Sequence, residues 1–230
     1  MTSGHVREPL TRSAEDYLKT IYHLTSGRGT GSVAATTDLA QALDLSPASV
    51  SGMLRRLAEQ GYVEHEPYRG VQLTGEGRRV ALRMLRRHRL LEAYLVAHLG
   101  YTWDTVHEEA ERLEHAVSDD LVERMATALG DPAVDPHGDP IPAADGSLTE
   151  LATTPLCEFG TGMHAEVRRV ATSDAERLRY LSAVGLTPGA HVTVMGCQPF
   201  NGPITLRLGA HEQVVGHELA ALVLCTPLPH

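Results

Sequence analysis

The residues with the strongest chemical potential lie between Val106 and Leu121. His107, Glu111, Glu114 and His115 recur there at helical spacing, beside a second stripe formed by Val106, Ala110, Leu113, Val117 and Leu121. Glu108, Glu109, Arg112, Asp119 and Asp120 take the outer face, so the His/Glu stripe sits at the edge of the buried side. Carboxylates crowded at such an edge repel one another and are costly to desolvate unless a cation joins them. Two imidazoles among them point to a divalent metal. A solvated acidic face with stray histidines has the same composition, and the rest of the chain decides between the two readings. Upstream, His88 and Glu92 are four residues apart on one helix and therefore neighbours. Across the turn at Gly100 they can join His107 in a second site.

The elements that must position these residues follow from the pattern around them. Ser13 can cap a helix from Ala14 to Thr25 that carries Asp16 in its first turn, where a carboxylate suits the helix dipole. The Gly/Ser-rich stretch 26–32 reads as a loop, and residues 1–11 as a polar disordered tail. Thr37–Leu43 makes a short helix, Asp44–Leu45 a turn, and Ser46 caps a helix with Pro47 in its first position that runs to Gln60. Two strands, 62–66 and 70–74, flank Pro67–Gly70 as a β wing. Together these elements read as a winged helix-turn-helix.

A helix then runs from about Thr74 to Leu99, with Arg78, Arg79, Arg83, Arg86, Arg87 and Arg89 clustered on its first half. The apolar surface of the helices between residues 78 and 129 exceeds what one small bundle needs, which implies dimerisation. Residues 130–147, rich in Pro, Gly and Asp, read as a linker. Beyond them, short strands spaced by Gly and Pro imply a small β-barrel. The expected architecture is mainly α with small β parts. It comprises a winged helix-turn-helix domain (1–77), a helical metal-binding and dimerisation domain with its linker (78–147), and an SH3-like domain (148–230).

Charge supports that division. The chain carries a net −9, but residues 1–90 hold 13 Lys and Arg against 9 Asp and Glu, whereas the remainder holds 7 against 20. A basic front half before an acidic rear suits a polyanion-binding module joined to something else. The small hydroxyl residues Ser46, Ser49 and Ser51 let the third helix approach DNA, and Arg55, Arg56 and Arg69 can meet phosphates. Three separated cysteines without paired ligand spacing argue against a thiolate zinc site and for a reducing compartment. With no apolar run long enough to span a bilayer and no signal-peptide core, the expected location is the cytoplasm, with no membrane partner.

Taken together, Glu15–Tyr22, Leu45–Ser51, His88–Glu92, Val106–His115 and Pro136–Pro142 resemble the diphtheria toxin repressor family of metal-dependent transcription regulators, through nearly the whole chain. The resemblance implies a homodimer that binds palindromic double-stranded operators when loaded with Mn(II) or Fe(II), at two sites per subunit. It implies a primary site of Asp16, Glu111, Glu114 and His115, and an ancillary site of His88, Glu92 and His107, with Asp174 as the candidate ligand from an SH3-like domain of the FeoA type. On the DNA side it implies Ser46, Pro47, Ala48, Ser49, Ser51, Arg55 and Arg69. The iron-responsive branch has methionine and cysteine where this chain has Asp16 and Glu111, so the set matches the manganese branch, and oxygen with imidazole suits hard Mn(II). Lys19 stands where many manganese members have a glutamate that supports a close metal pair, which implies two separated sites. Gly52 stands where some members point a side chain at bases, which leaves more of the specificity to DNA shape.

The leading expectation is a Mn(II)-activated repressor of metal-uptake genes, with no small-molecule substrate and no catalysis. An Fe(II)-responsive regulator is the alternative within the same family. A metallohydrolase using the His/Glu cluster and a metal-independent regulator are the readings outside it.

Overall fold

The computed structural model describes residues 10–26, 32–66, 69–149 and 151–229. They form two compact units. One runs up to Arg86 and includes Pro142–Gly146; the other comprises Arg87–Ile141 and the chain from Ser147 onward. No helix among the described residues is long and apolar enough to cross a membrane.

The first unit opens with α1 (Arg12–Thr25). Its cap is Thr11, whose Oγ1 accepts from the Ala14 N–H, so the helix starts earlier than a Ser13 cap implies. Buried Tyr17, Leu18 and Ile21 form its inner face. α2 (Thr36–Ala42) and α3 (Pro47–Glu59) follow, joined by a turn in which Asp44 adopts φ 52°. Ser46 caps α3 through the Ser49 N–H at 3.2 Å, with Pro47 in the first turn. Val50, Leu54 and Leu57 are buried, and Met53 is half-buried. β1 (Val63–Glu66) and β2 (Gly70–Leu73) pair antiparallel from Val63↔Leu73 to Glu66↔Gly70. The sequence therefore folds as the expected winged helix-turn-helix. The tip of the wing at 67–68, the 27–31 loop and the first nine residues lie outside the described residues.

α4 (Gly75–Leu99) is about 37 Å long at ~1.5 Å per residue, and the division between units falls inside it. Three of its arginines are engaged within the chain. Arg86 donates to the Pro142 carbonyl at 2.9 Å. Buried Arg87 forks onto Asp119 (3.1 and 2.7 Å), and buried Arg89 reaches Asp139 and the Pro140 carbonyl.

In the second unit the stretch expected as one stripe to Leu121 is two helices, α5 (Val106–Leu113) and α6 (Asp119–Ala128). Ser118 caps α6 through the Leu121 N–H, and Asp119 and Asp120 favour the dipole of its first turn. Glu114 ends α5 and His115 lies in the connecting turn. Leu121 consequently points outward, 45% exposed. Leu90, Leu91, Ala110, Val122, Met125, Ala126 and Ile141 form the local core.

Residues 130–141 are not a bare linker either: Asp135, His137, Gly138 and Ile141 are buried. Gly138 holds φ +87°, and a Cβ there would lie 2.0 Å from the Arg168 carbonyl oxygen. Only glycine lets this loop approach that strand so closely.

The C-terminal part is a six-stranded sheet. In chain order its strands are β3 (Thr154–Pro155), β4 (His164–Val170), β5 (His191–Cys197), β6 (Ile204–Leu208), β7 (His211–Val215) and β8 (Val223–Pro227), arranged β3-β8-β4-β5-β6-β7. α7 (Ala175–Val184) and α8 (His217–Leu222) accompany them. β3 and β8 add to the strands legible in the sequence. Leu156, Val167, Leu178, Leu181, Val194, Leu206 and Val223 are fully buried or nearly so, and half-buried Trp103 packs against this core.

Candidate metal centre

The α4–α5 pairing brings the expected ancillary residues together. Glu92 Oε1 lies 2.9 Å from His88 Nε2 and 3.0 Å from His107 Nδ1, and those two nitrogens are 3.1 Å apart. Three donor atoms at such mutual distances match neighbouring ligands of one octahedral cation with bonds of about 2.1 Å. Burial makes the charge question acute, because Glu92 is only 2% exposed. A carboxylate that far from water needs compensation. Burial pushes the Glu92 carboxyl upward, but the facing imidazoles of His107, His137 and His88 outweigh this and hold it well below the usual carboxylate range.

On its other edge His88 turns to the residues expected in the primary site. His88 Nδ1 lies 2.7 Å from Glu114 Oε2 and 3.8 Å from Glu111 Oε1, and His115 Nε2 is 3.4 Å from Glu114 Oε1. Glu114 is fully buried. Glu111 is also 3.8 Å from His107 Nε2. Within this unit the two expected sets are therefore joined through one imidazole. Asp16 belongs to the first unit, half-buried on α1. Asp174 is not gathered here: it is exposed, and its Oδ1 caps α7 through the Arg177 N–H at 2.8 Å.

The stretch expected as a linker adds two residues, Asp135 and His137, both buried. His137 Nδ1 lies 3.6 Å from Glu92 Oε2 and 4.0 Å from Asp135 Oδ1. Burial would lower the His137 pKa, but Glu92 and Asp135 raise it to about 9. Burial, then Asp139 and Glu92, push Asp135 up to about 7. The signal for these residues was the alternation of Asp135, His137 and Asp139 between Pro136, Gly138 and Pro140. Punctuation that dense marks a shaped loop as readily as a linker.

On the first unit, Ser46, Pro47, Ala48 and Ser49 are exposed at the start of α3, with Ser51 half-buried beside them. Their hydroxyls are locally engaged: Ser46 Oγ meets Ser49 Oγ at 2.9 Å, and Ser51 Oγ donates to the Pro47 carbonyl. Ser51, Arg55 and Arg69 line a cleft of about 840 Å³ between α3 and the wing, together with Thr36, Thr37 and His65. Arg69 also pairs with Glu66 at 3.1 Å while 81% exposed, an arrangement that contributes little stability and is easily exchanged for a phosphate.

Comparison with known proteins agrees with this layout. Residues 9–71 match the DNA-binding domain of iron-dependent repressors, 74–143 their metal-binding and dimerisation domain, and 154–227 the FeoA domain. The chain is similar to the iron-dependent repressor IdeR of Mycobacterium tuberculosis, at 32% identity over 93% of this chain and 96% of the relative. Among solved structures, a manganese-dependent transcriptional repressor in complex with manganese superimposes with a TM-score of 0.86 at 39% identity, covering 94% of this chain and all of the other. ScaR with bound Cd2+ follows at 0.79 and 33%, covering 94% and 99%.

Proposed function

Because the chain belongs to the family of iron-dependent repressors, DNA-binding and metal-dependent transcriptional regulators rather than enzymes, we propose that it is a Mn(II)-activated repressor. It acts as a homodimer on a palindromic operator and controls metal uptake. The observation that carries this reading is the trio of buried His88 and Glu92 with half-buried His107, three donor atoms about 3 Å apart. Asp16, Glu111, Glu114 and His115 form the primary site in this reading, and the trio forms the ancillary one. A bound divalent cation supplies the positive charge that offsets carboxylate repulsion in both sets.

The residues themselves do the rest. Asp16 sits on α1 of the DNA-reading unit, whereas Glu111, Glu114 and His115 belong to the other unit. Sharing one ligand set ties the DNA-reading helices of a dimer to a fixed separation, which must match half-sites about one helical turn apart. The metal-loaded arrangement thus binds DNA better, and by linkage DNA strengthens metal binding. Ser46, Pro47, Ala48, Ser49 and Ser51 approach the groove, and Arg55 and Arg69 hold phosphates. Exposed Leu99 (62%) and Leu121 (45%) support pairing through the helical region.

The donors are oxygen and imidazole, with no sulfur, and suit hard Mn(II). The iron-dependent relative keeps Fe(II) as a second reading. Anaerobic titration of DNA binding with Mn(II), Fe(II) and Zn(II) tests the proposal. Mn(II) is expected to raise affinity most at its working concentration; equal DNA binding in chelator and in Mn(II) would contradict it.

A further inference from the structure

One cluster extends beyond both expected sites and centres on the second oxygen of Glu92. Oε1 of this carboxylate faces His88 and His107, whereas Oε2 faces His137 Nδ1. The tautomer of His137 follows from its other side: Nε2 lies 2.7 Å from the Trp103 carbonyl oxygen, which only accepts, so Nε2 carries the proton. The ring also stacks on the Trp103 indole, with centroids 5.9 Å apart and planes at 20°. Once a cation displaces the proton from Nδ1, the lone pair of that nitrogen is directed at two carboxylates, Glu92 and Asp135. The separations of 3.6 and 4.0 Å are too long for hydrogen bonds. They fit donors placed around a common cation, about 3 to 4.2 Å apart for bonds of about 2.1 Å.

The surroundings are already arranged for that role. Asp135 Oδ1 accepts the backbone N–H groups of His137 and Asp139 at 2.8 and 3.0 Å, which fixes the carboxylate on the loop. Nearby guanidinium groups are drawn mainly to Asp139, which takes Arg89 at 3.2 Å and Arg169 at 2.8 Å. Arg89 Nε approaches Asp135 only to 3.8 Å, at Oδ2. A carbonyl that holds the far nitrogen of a histidine is the usual outer support of a metal-ligating imidazole. Glu92, Asp135 and His137 are all buried, and one donor atom from each lies within 4.8 Å of the others.

We infer that Glu92, Asp135 and His137 hold a further hard divalent cation, with the Glu92 carboxylate bridging it to the His88/His107 set. The inference rests on the metal-dependent reading above and adds a site to it. It also gives the loop a task. His137 accepts the Val170 N–H through its carbonyl oxygen, and Asp139 pairs with Arg169, so the segment carrying the ligands is fastened to β4. Loading this site stiffens the junction between the helices and the C-terminal sheet.

The test uses the full chain crystallised with Mn(II), with anomalous difference maps at the manganese edge and metal counting in solution. The expected result is a peak among Glu92, Asp135 and His137 in addition to one at His88/Glu92/His107. His137→Gln should lose one equivalent per protomer and keep the others; Asp135→Asn is the second variant should the first misfold. Filled sites elsewhere with no peak here, or a stoichiometry unchanged in His137→Gln, overturns the inference and leaves the proposed function standing. Absence of manganese from every site overturns both.

Discussion

The start of α3 and the His/carboxylate cluster of α4 and α5 are both built from polar side chains, yet they meet opposite constraints. At α3 the groups are exposed and their hydrogen bonds are local: Ser46 to Ser49, Ser51 to Pro47. Nothing there is missing, and a polyanion can be met by exchange with water. In the cluster Glu92 and Glu114 are shut away from water, and each leans on an imidazole contributed by another segment, His107 for Glu92 and His88 for Glu114. Such a group is costly to isolate, and its partners are therefore over-determined. A surface that reads DNA can be self-sufficient in the folded chain, whereas a centre that senses a cation is arranged around a charge still to come.

Breaking the cluster should have the largest effect. Glu114→Ala removes the buried carboxylate that His88 and His115 share, and Mn(II) affinity measured by calorimetry should fall by more than the ~10–100-fold typical of losing an outer partner. An unchanged affinity would remove Glu114 from the ligand set. At the exposed face the loss should be smaller and of a different kind. Arg55→Ala should weaken binding to all DNA sequences alike and lower the salt slope of log affinity by about 1. A sequence-dependent loss with the same slope would instead make Arg55 a base reader. Ser46→Ala removes the α3 cap and should cost about 1 kcal/mol in denaturant unfolding, with metal binding untouched.

Smallest of all for metal is Asp174→Ala. This carboxylate caps α7, so thermal stability should fall by about 1 kcal/mol while metal stoichiometry stays constant. A lost equivalent of metal would restore Asp174 to the ancillary site.

How far the sequence reached differs between the same two regions for a physical reason. α3 was legible because its signals are adjacent: Ser46, Pro47 and the spacing of Val50, Leu54 and Leu57 all lie within one helix. The pair His88 and Glu92 was legible on the same ground, four residues apart on α4. Leu121 was misplaced because periodicity carries on across a break that Ser118, Asp119 and Asp120 impose by capping a new helix. Asp135 and His137 escaped because their burial depends on contacts made far along the chain, with Trp103, Glu92 and the backbone at Arg168 and Val170. Arg86, Arg87 and Arg89, seen in the sequence only as part of a basic cluster, are held by Asp119, Asp139 and backbone carbonyls, which local charge counting does not foresee.

In the proposed mechanism metal controls DNA reading, and Asp16 is the residue of the DNA-reading unit on which that control turns. The most direct measurement is operator affinity with and without Mn(II) for the native chain and for Asp16→Ala, with metal binding to the variant followed in parallel. The native chain should gain roughly 5–150-fold in affinity from Mn(II), and the variant none, while still binding manganese at the His88, Glu92 and His107 site. An Asp16→Ala protein that binds operator as tightly and as metal-dependently as the native chain would contradict it.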